Sequence, residues 1–331
     1  MKRVLTVTCA ALCFVGTAFA GEGHHDTAPT LINQPKTNVV FEGNTVTLTF
    51  GPLDLPVHHA GELAASMPIH YFKIPRDMHM VSYKTAVFTK EGRTLPNNYL
   101  HHLLMINTSR ESVSCPGEPL FFAGAGLELL KTEFPPGYGV KLEKGQKIMT
   151  VAAFYHKVPP TKDVIATFTM ELAPEGTPMK DMDVYQVGVN IVCYSKFGER
   201  GPDQTDEGIE IKPGVTVLSA PLKFNMDGCV KFAYPHGHDE LLLITLDNKT
   251  TRRTLLRTVP NVSQDGTLLA FQPHQVYRDA QGFPVTMEDD YEITMVYHHP
   301  LHNPNVHHGM GNYLLYMTPG ACAPDQVAAV H

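Results

Sequence analysis

Short runs rich in β-branched and aromatic residues, with apolar and polar positions tending to alternate, recur along the chain between closely spaced Pro, Gly and Asn residues. A first series occupies 45–50, 70–74, 81–89, 100–107, 147–155 and 164–172. A second occupies 183–194, 215–218, 228–234, 240–247, 266–271, 291–297 and 311–317. Period-two patterning bounded by turn residues predicts strands, and many short strands in succession predict an all-β chain built of antiparallel sandwiches. Helical periodicity is nearly absent, and only 127–132 suits a turn or two of helix. The stretch 197–214, rich in Gly, Pro, Asp and Glu, reads as a loop. The turn Glu175-Gly176-Thr177-Pro178 separates the two series, so the expected units are 37–178 and 179–331. Two units also suit the length of 331 residues, because single cores rarely grow past roughly 250–300 residues.

The amino terminus changes the compartment. Lys2 and Arg3 precede an apolar run, and Ala18-Phe19-Ala20 has the small-x-small form of a cleavage site, so residues 1–20 read as a signal peptide cut after Ala20. Residues 21–36 are polar and read as a flexible leader. A membrane span needs about 20 apolar residues. The signal segment is too short and no later stretch qualifies, so the expectation is an exported, periplasmic or secreted protein without membrane insertion. Export leaves Cys115, Cys193, Cys229 and Cys322, which favours disulfides over thiolate ligands. Three pairings are open; one bridge in each half, Cys115–Cys193 and Cys229–Cys322, is the expectation. A net charge of −7 excludes a basic nucleic-acid footprint.

The 18 histidines carry the candidate chemistry. His101-His102 opens an apolar run, and because strand neighbours point to opposite faces, the pair can serve one metal only at a bulge or a strand end. His236-Gly237-His238 has the spacing that puts two imidazoles on one strand face, with Gly237 leaving room for a metal between them. His156 closes the run 147–156 ahead of Pro159-Pro160. A last cluster holds His298, His299, His302, His307 and His308, followed by Met310, whose thioether is a soft donor that selects Cu(I). His58-His59 and Met78-His79-Met80 read as surface or packing residues.

The order of these pieces resembles the copper type II, ascorbate-dependent monooxygenases, the family of peptidylglycine α-hydroxylating monooxygenase and dopamine β-monooxygenase. His101-His102-Leu103-Leu104-Met105 is similar to the family's His-His and apolar run. Phe134-Pro135-Pro136-Gly137-Tyr138-Gly139 looks like its Pro-Gly turn, 147–156 like its Lys-led strand ending in His, 232–238 like its lead into His-x-His, and Met310-Gly311-Asn312-Tyr313-Leu314 like its Met segment. The resemblance spans roughly 65–320. It implies two jelly-roll-like β-sandwich domains side by side with a cleft between two copper sites. His101, His102 and His156 would hold an electron-transfer copper, and His236, His238 and Met310 an oxygen-activating copper where catalysis occurs. It further implies hydroxylation of a substrate C–H bond with O2 and an external reductant such as ascorbate. The chain departs from the family at Tyr234 and Leu314, where the peptide hydroxylases carry the Arg and Tyr that anchor a peptide carboxylate. His156 stands two positions later than the family's spacing. The expected substrate is therefore a small organic molecule rather than a glycine-ended peptide.

Two other readings compete. A non-catalytic copper protein for storage, delivery or sensing would use the spare histidines as a capture loop. A zinc hydrolase would add Asp239 or Glu240 to His236 and His238. Sequons at Asn107, Asn248 and Asn261 matter only if the host secretes through a glycosylating pathway.

Overall fold

The computed structural model describes residues 36–55, 65–66, 69–126, 131–154, 158–189, 204–205, 208–263, 268–270, 276–301 and 307–322. The signal segment and most of the leader lie outside these. The first set of strands is β1 (Thr37–Glu42), β2 (Thr45–Leu55), β3 (Ala65–Ser66), β4 (His70–Lys73), β5 (Met78–Thr89), β6 (Leu100–Glu111), β7 (Pro119–Gly126), β8 (Lys131–Glu133), β9 (Tyr138–Leu142), β10 (Lys147–Phe154), β11 (Thr161–Leu172) and β12 (Lys180–Asp181). The second set is β13 (Asp183–Gly188), β14 (Gln204–Thr205), β15 (Gly208–Ile211), β16 (Gly214–Leu222), β17 (Gly228–Gly237), β18 (Leu241–Asn248), β19 (Arg253–Thr258), β20 (Asn261–Val262), β21 (Leu268–Ala270), β22 (Tyr277–Val285), β23 (Tyr291–His299), β24 (His307–Gly309) and β25 (Gly311–Pro319).

The protein is all-β, and every run read as a strand overlaps one of these. In the first set, one sheet has the order β1-β2-β11-β5-β9-β12 with β8 on β5, and the other β3-β10-β6-β7 with β4 on β10. In the second, β13-β25-β17-β22 and β16-β23-β18-β19 are the main sheets. Among the described residues the strands pair antiparallel except β12 with β9, and an isolated parallel bridge joins Pro213 to His299. Strand β12 still belongs to the first set, and β13 begins two residues later against β25. Cys229 and Cys322 form a disulfide across a separation of 93 residues, pinning the tail beyond β25 to β17. Cys115 is disulfide-bonded as well, its partner lying outside the described residues, as Cys193 does.

Two expectations are corrected. Lys131 and Thr132 are not helical but belong to β8, which pairs with β5. The stretch read as a loop contains β14 and β15, because β15 forms a ladder with β24, a partner distant in sequence that no local pattern reveals. Two of the sequons are structural. Asn107 is fully buried and donates to Gln146 Oε1 at 2.8 Å, and Asn248 is buried and donates to Asp289.

The two halves share a core. Phe232 and Tyr234 of β17 and Leu314 and Tyr316 of β25 pack with the buried residues of the first half, whereas Val230, Ala233, Tyr313, Leu315 and Met317 face the second core. Phe134 lies at the centre of the seam, with ring centroids 4.7 Å from Tyr316, 5.3 Å from Phe232 and 6.5 Å from Tyr83. The Tyr316 hydroxyl donates to the Phe122 carbonyl at 3.0 Å, so this polar group in the largely apolar seam is satisfied. Around the rim, Arg110 pairs with Asp183 and Arg278 with Glu133.

A single-residue bulge sets which face of β17 meets that seam. Val230 pairs with Met317 and Phe232 with Tyr316, leaving Lys231 unopposed. The extra residue switches the parity of the strand, so that Phe232, Tyr234 and His236 all face the first half. Lys231 is buried, and its ammonium donates to the carbonyls of Ala280 at 2.7 Å and Gln281 at 2.9 Å beneath the Tyr138 ring. Gly282, at φ +72°, completes the bulge, since a Cβ there would meet the Val230 carbonyl at 2.5 Å.

Truncating Phe134 to Ala should destabilise the protein by about 3–5 kcal/mol. Because the seam belongs to both halves, chemical denaturation should still give one transition; separate unfolding of the halves would contradict the shared core.

Candidate metal centre

His101 and His102 sit where β6 begins, and a second bulge places them. Phe154 of β10 pairs with Leu100 and Ala153 with His102, so His101 is the unopposed residue. Leu100 and Leu103 both face the first core, and the two histidines between them share the opposite side. This is the bulge that the adjacent pair requires. Their rings lie 4.5 Å apart, and the two Nδ1 atoms approach to 2.7 Å. One Nδ1 donates to the other. Two nitrogens bound to one metal at about 2.0–2.1 Å each would stand somewhat farther apart, at roughly 3 Å, so a small rotation of the rings separates the paired from the ligating arrangement.

His236 and His238 lie on the face that β17 turns towards the first half, and their rings are 5.7 Å apart. The His238 ring lies 6.1 Å from that of His101, so histidines from both halves meet at one place. Gly237 does not leave room for a metal, as its spacing suggested. It points to the opposite face, where a Cβ would collide with Leu241, because alternation carries the middle residue of His-Gly-His away from the imidazoles.

The backbone brings Met310 to the same place. His236 pairs with Asn312 and Gly237 with Gly311, and the His238 N–H donates to the Met310 carbonyl at 3.0 Å. Met310 is thus the cross-strand neighbour of His238. His156 lies outside the described residues, just beyond the end of β10.

The imidazole of His102 is held well below the ordinary histidine range, first by burial and then by repulsion from His101, His236 and His238. A neutral imidazole is the form that binds metal. Among the described residues, no three His, Cys, Asp or Glu side chains are grouped to hold one ion. Each half contributes two imidazoles, and the third donors expected are a thioether and the undescribed His156. Two imidazoles with a soft sulfur would favour Cu(I).

The C-terminal histidines divide. His299 is buried, and its Nδ1 lies 2.8 Å and 3.0 Å from the two carboxylate oxygens of Glu240. It is therefore not a solvated loop residue, and it engages Glu240, one of the two carboxylates, with Asp239, that the zinc reading adds. His298 is exposed, His302 lies outside the described residues, and His307 and His308 form β24. Inspection of the strand that ends near Tyr297 could have found the buried pair. Carried two residues further, its inward parity of Tyr291, Ile293, Met295 and Tyr297 reaches His299. Met78 and Met80 are core residues, and His79 pairs with Asp181 at 2.7 Å. His58 and His59 lie outside the described residues.

Tyr234 and Leu314 are cross-strand partners, both buried in the shared core, and offer no charged anchor.

No family model matches the sequence, and no curated protein matches it. A solved structure described as recombinant N-glycanase F (PNGase F) aligns over 83% of this chain and 96% of its own, with a TM-score of 0.38 and 10% identity. A likeness at that level carries no functional argument. No helix among the described residues is long and apolar enough to cross a membrane.

The lowered pKa of His102 has a consequence for the metal-free protein. Below the ordinary histidine value of about 6.5 the unfolded chain takes up a proton that folded His102 refuses, so stability falls as pH drops from about 6.5 through the folded value. Thermal melts between pH 7.5 and pH 5 should show this decline, with a shallower slope in His102→Gln.

Proposed function

We propose that the protein is an exported copper monooxygenase, resembling the ascorbate-dependent family, that hydroxylates a C–H bond of a small organic molecule. The observation that carries this reading is the convergence of His101-His102 from one half with His236 and His238 from the other. The two imidazole pairs come from separate sheets, and the reading assigns one metal position to each. The pair on β6 would hold one copper with His156, and the pair on β17 the other with Met310. Bound copper would supply one-electron chemistry and a centre able to react with O2.

The chain's own residues do the rest by placement. The bulge at His101 presents two Nδ1 atoms together, while the bulge at Lys231 aims His236 and His238 towards them. Burial and mutual repulsion keep His102 unprotonated and ready to ligate. Tyr234 and Leu314, both buried and uncharged, occupy the positions where the resemblance would put the Arg and Tyr that anchor a carboxylate, which favours a small substrate over a peptide terminus. Export is supported by the signal-like first 20 residues and by the Cys229–Cys322 disulfide.

Elemental analysis after copper loading and dialysis should find two coppers in the parent and one in each of His101→Ala and His236→Ala. Copper and ascorbate with a substrate should then drive O2 consumption, and Met310→Ala should abolish it while the first copper stays bound. Two tightly bound coppers without turnover across a substrate screen would favour a carrier. Tightly held zinc would overturn the proposal.

A further inference from the structure

Met310 is held by two hydrogen bonds that involve no metal. Its carbonyl accepts the His238 N–H at 3.0 Å and also the Tyr297 hydroxyl at 2.7 Å. Tyr297 is fully buried in the second core, so its hydroxyl is fixed by packing and not by solvent. The residues on either side are glycines, and both approach their neighbours too closely for a side chain. A Cβ on Gly309 would meet Ile211 Cδ1 at 2.7 Å and the Tyr297 ring at 2.9 Å, and one on Gly311 would collide with Met295. The Gly-Met-Gly segment is therefore pressed onto the Tyr297 ring and pinned by its hydroxyl, with only the middle residue free to present a side chain.

We infer that Tyr297 is a positioning residue for Met310, its buried hydroxyl fixing the backbone from which the thioether reaches the copper held by His236 and His238. The inference rests on the copper reading above. Groups behind a metal ligand fix its orientation, and their loss typically weakens metal binding by about 10- to 100-fold. Tyr313 supplies the control. It is equally buried in the same core, and its hydroxyl donates to the Ile244 carbonyl at 3.1 Å and pairs with Thr258 Oγ1 at 2.9 Å rather than with the Met310 carbonyl.

The test is X-ray absorption and competition with a chromogenic Cu(I) chelator on the anaerobic, Cu(I)-loaded full chain. Tyr297→Phe should lose most of the copper–sulfur scattering and bind the second copper roughly tenfold more weakly, approaching Met310→Ala, with the first copper retained. Tyr313→Phe should lose comparable thermal stability and keep both signals. Gly309→Ala, which crowds the same clamp without removing a hydrogen bond, should reproduce the Tyr297→Phe result. Sulfur scattering and Cu(I) affinity in Tyr297→Phe within about a factor of two of the parent, well below the loss a positioning group should cause, would overturn the inference alone. Absence of sulfur scattering in the parent would overturn it together with the ligand role of Met310.

Discussion

The structure depends on one packing decision, the burial of a single face of β17 and β25 against the first half. Phe232, Tyr234, Leu314 and Tyr316 form that face, with Phe134 wedged among them. Burying several aromatic rings at about 25 cal/mol per Å2 of apolar surface is a large term beside the marginal stability of a domain. It also fixes the position of two elements that would otherwise be free to shift. The strand that carries Phe232 and Tyr234 continues directly to His236 and His238, so anchoring the aromatic residues anchors the imidazoles. A seam between the halves and a candidate site between the halves are consequences of the same face.

Two bulges give this arrangement its chemistry. In a regular strand, His101 and His102 would point apart, and without the extra residue at Lys231 the second histidine pair would face the core of its own half. Each bulge leaves one residue without a cross-strand register partner on the facing strand. Lys231 is the clearest case: a buried ammonium is costly unless its donors are satisfied, and two carbonyls and the Tyr138 ring surround it. The second half then adds a rigid frame around Met310, built from a buried tyrosine and two glycines with no space for a Cβ.

The buried Glu240–His299 pair illustrates how a count of histidines misleads. Five histidines close together in sequence suggest one solvated cluster, yet strand parity sends His298 to solvent and His299 into the core beside a carboxylate. His299 ends β23 and Glu240 stands in the turn between β17 and β18, where the His298 N–H to Glu240 carbonyl bond holds the end of β23 in place.

Much of this was legible in the residues alone. Alternation and turn punctuation determined the all-β class and the positions of the principal strands, because period-two burial is written directly in side-chain type. His-x-His determined a shared face, and Leu-His-His-Leu carried the mark of a bulge, two polar residues between inward leucines. Strands such as β9, β15 and β22 escaped, since their Gly, Pro and charged residues carry little pattern and their pairing is decided by partners far away in the chain. The face to which His236 and His238 point, the nearness of His101 to His238, and the engagement of Glu240 by His299 were decided only in three dimensions. Periodicity specifies that residues share a face, but which face is buried against what depends on bulges and on packing between segments more than a hundred residues apart.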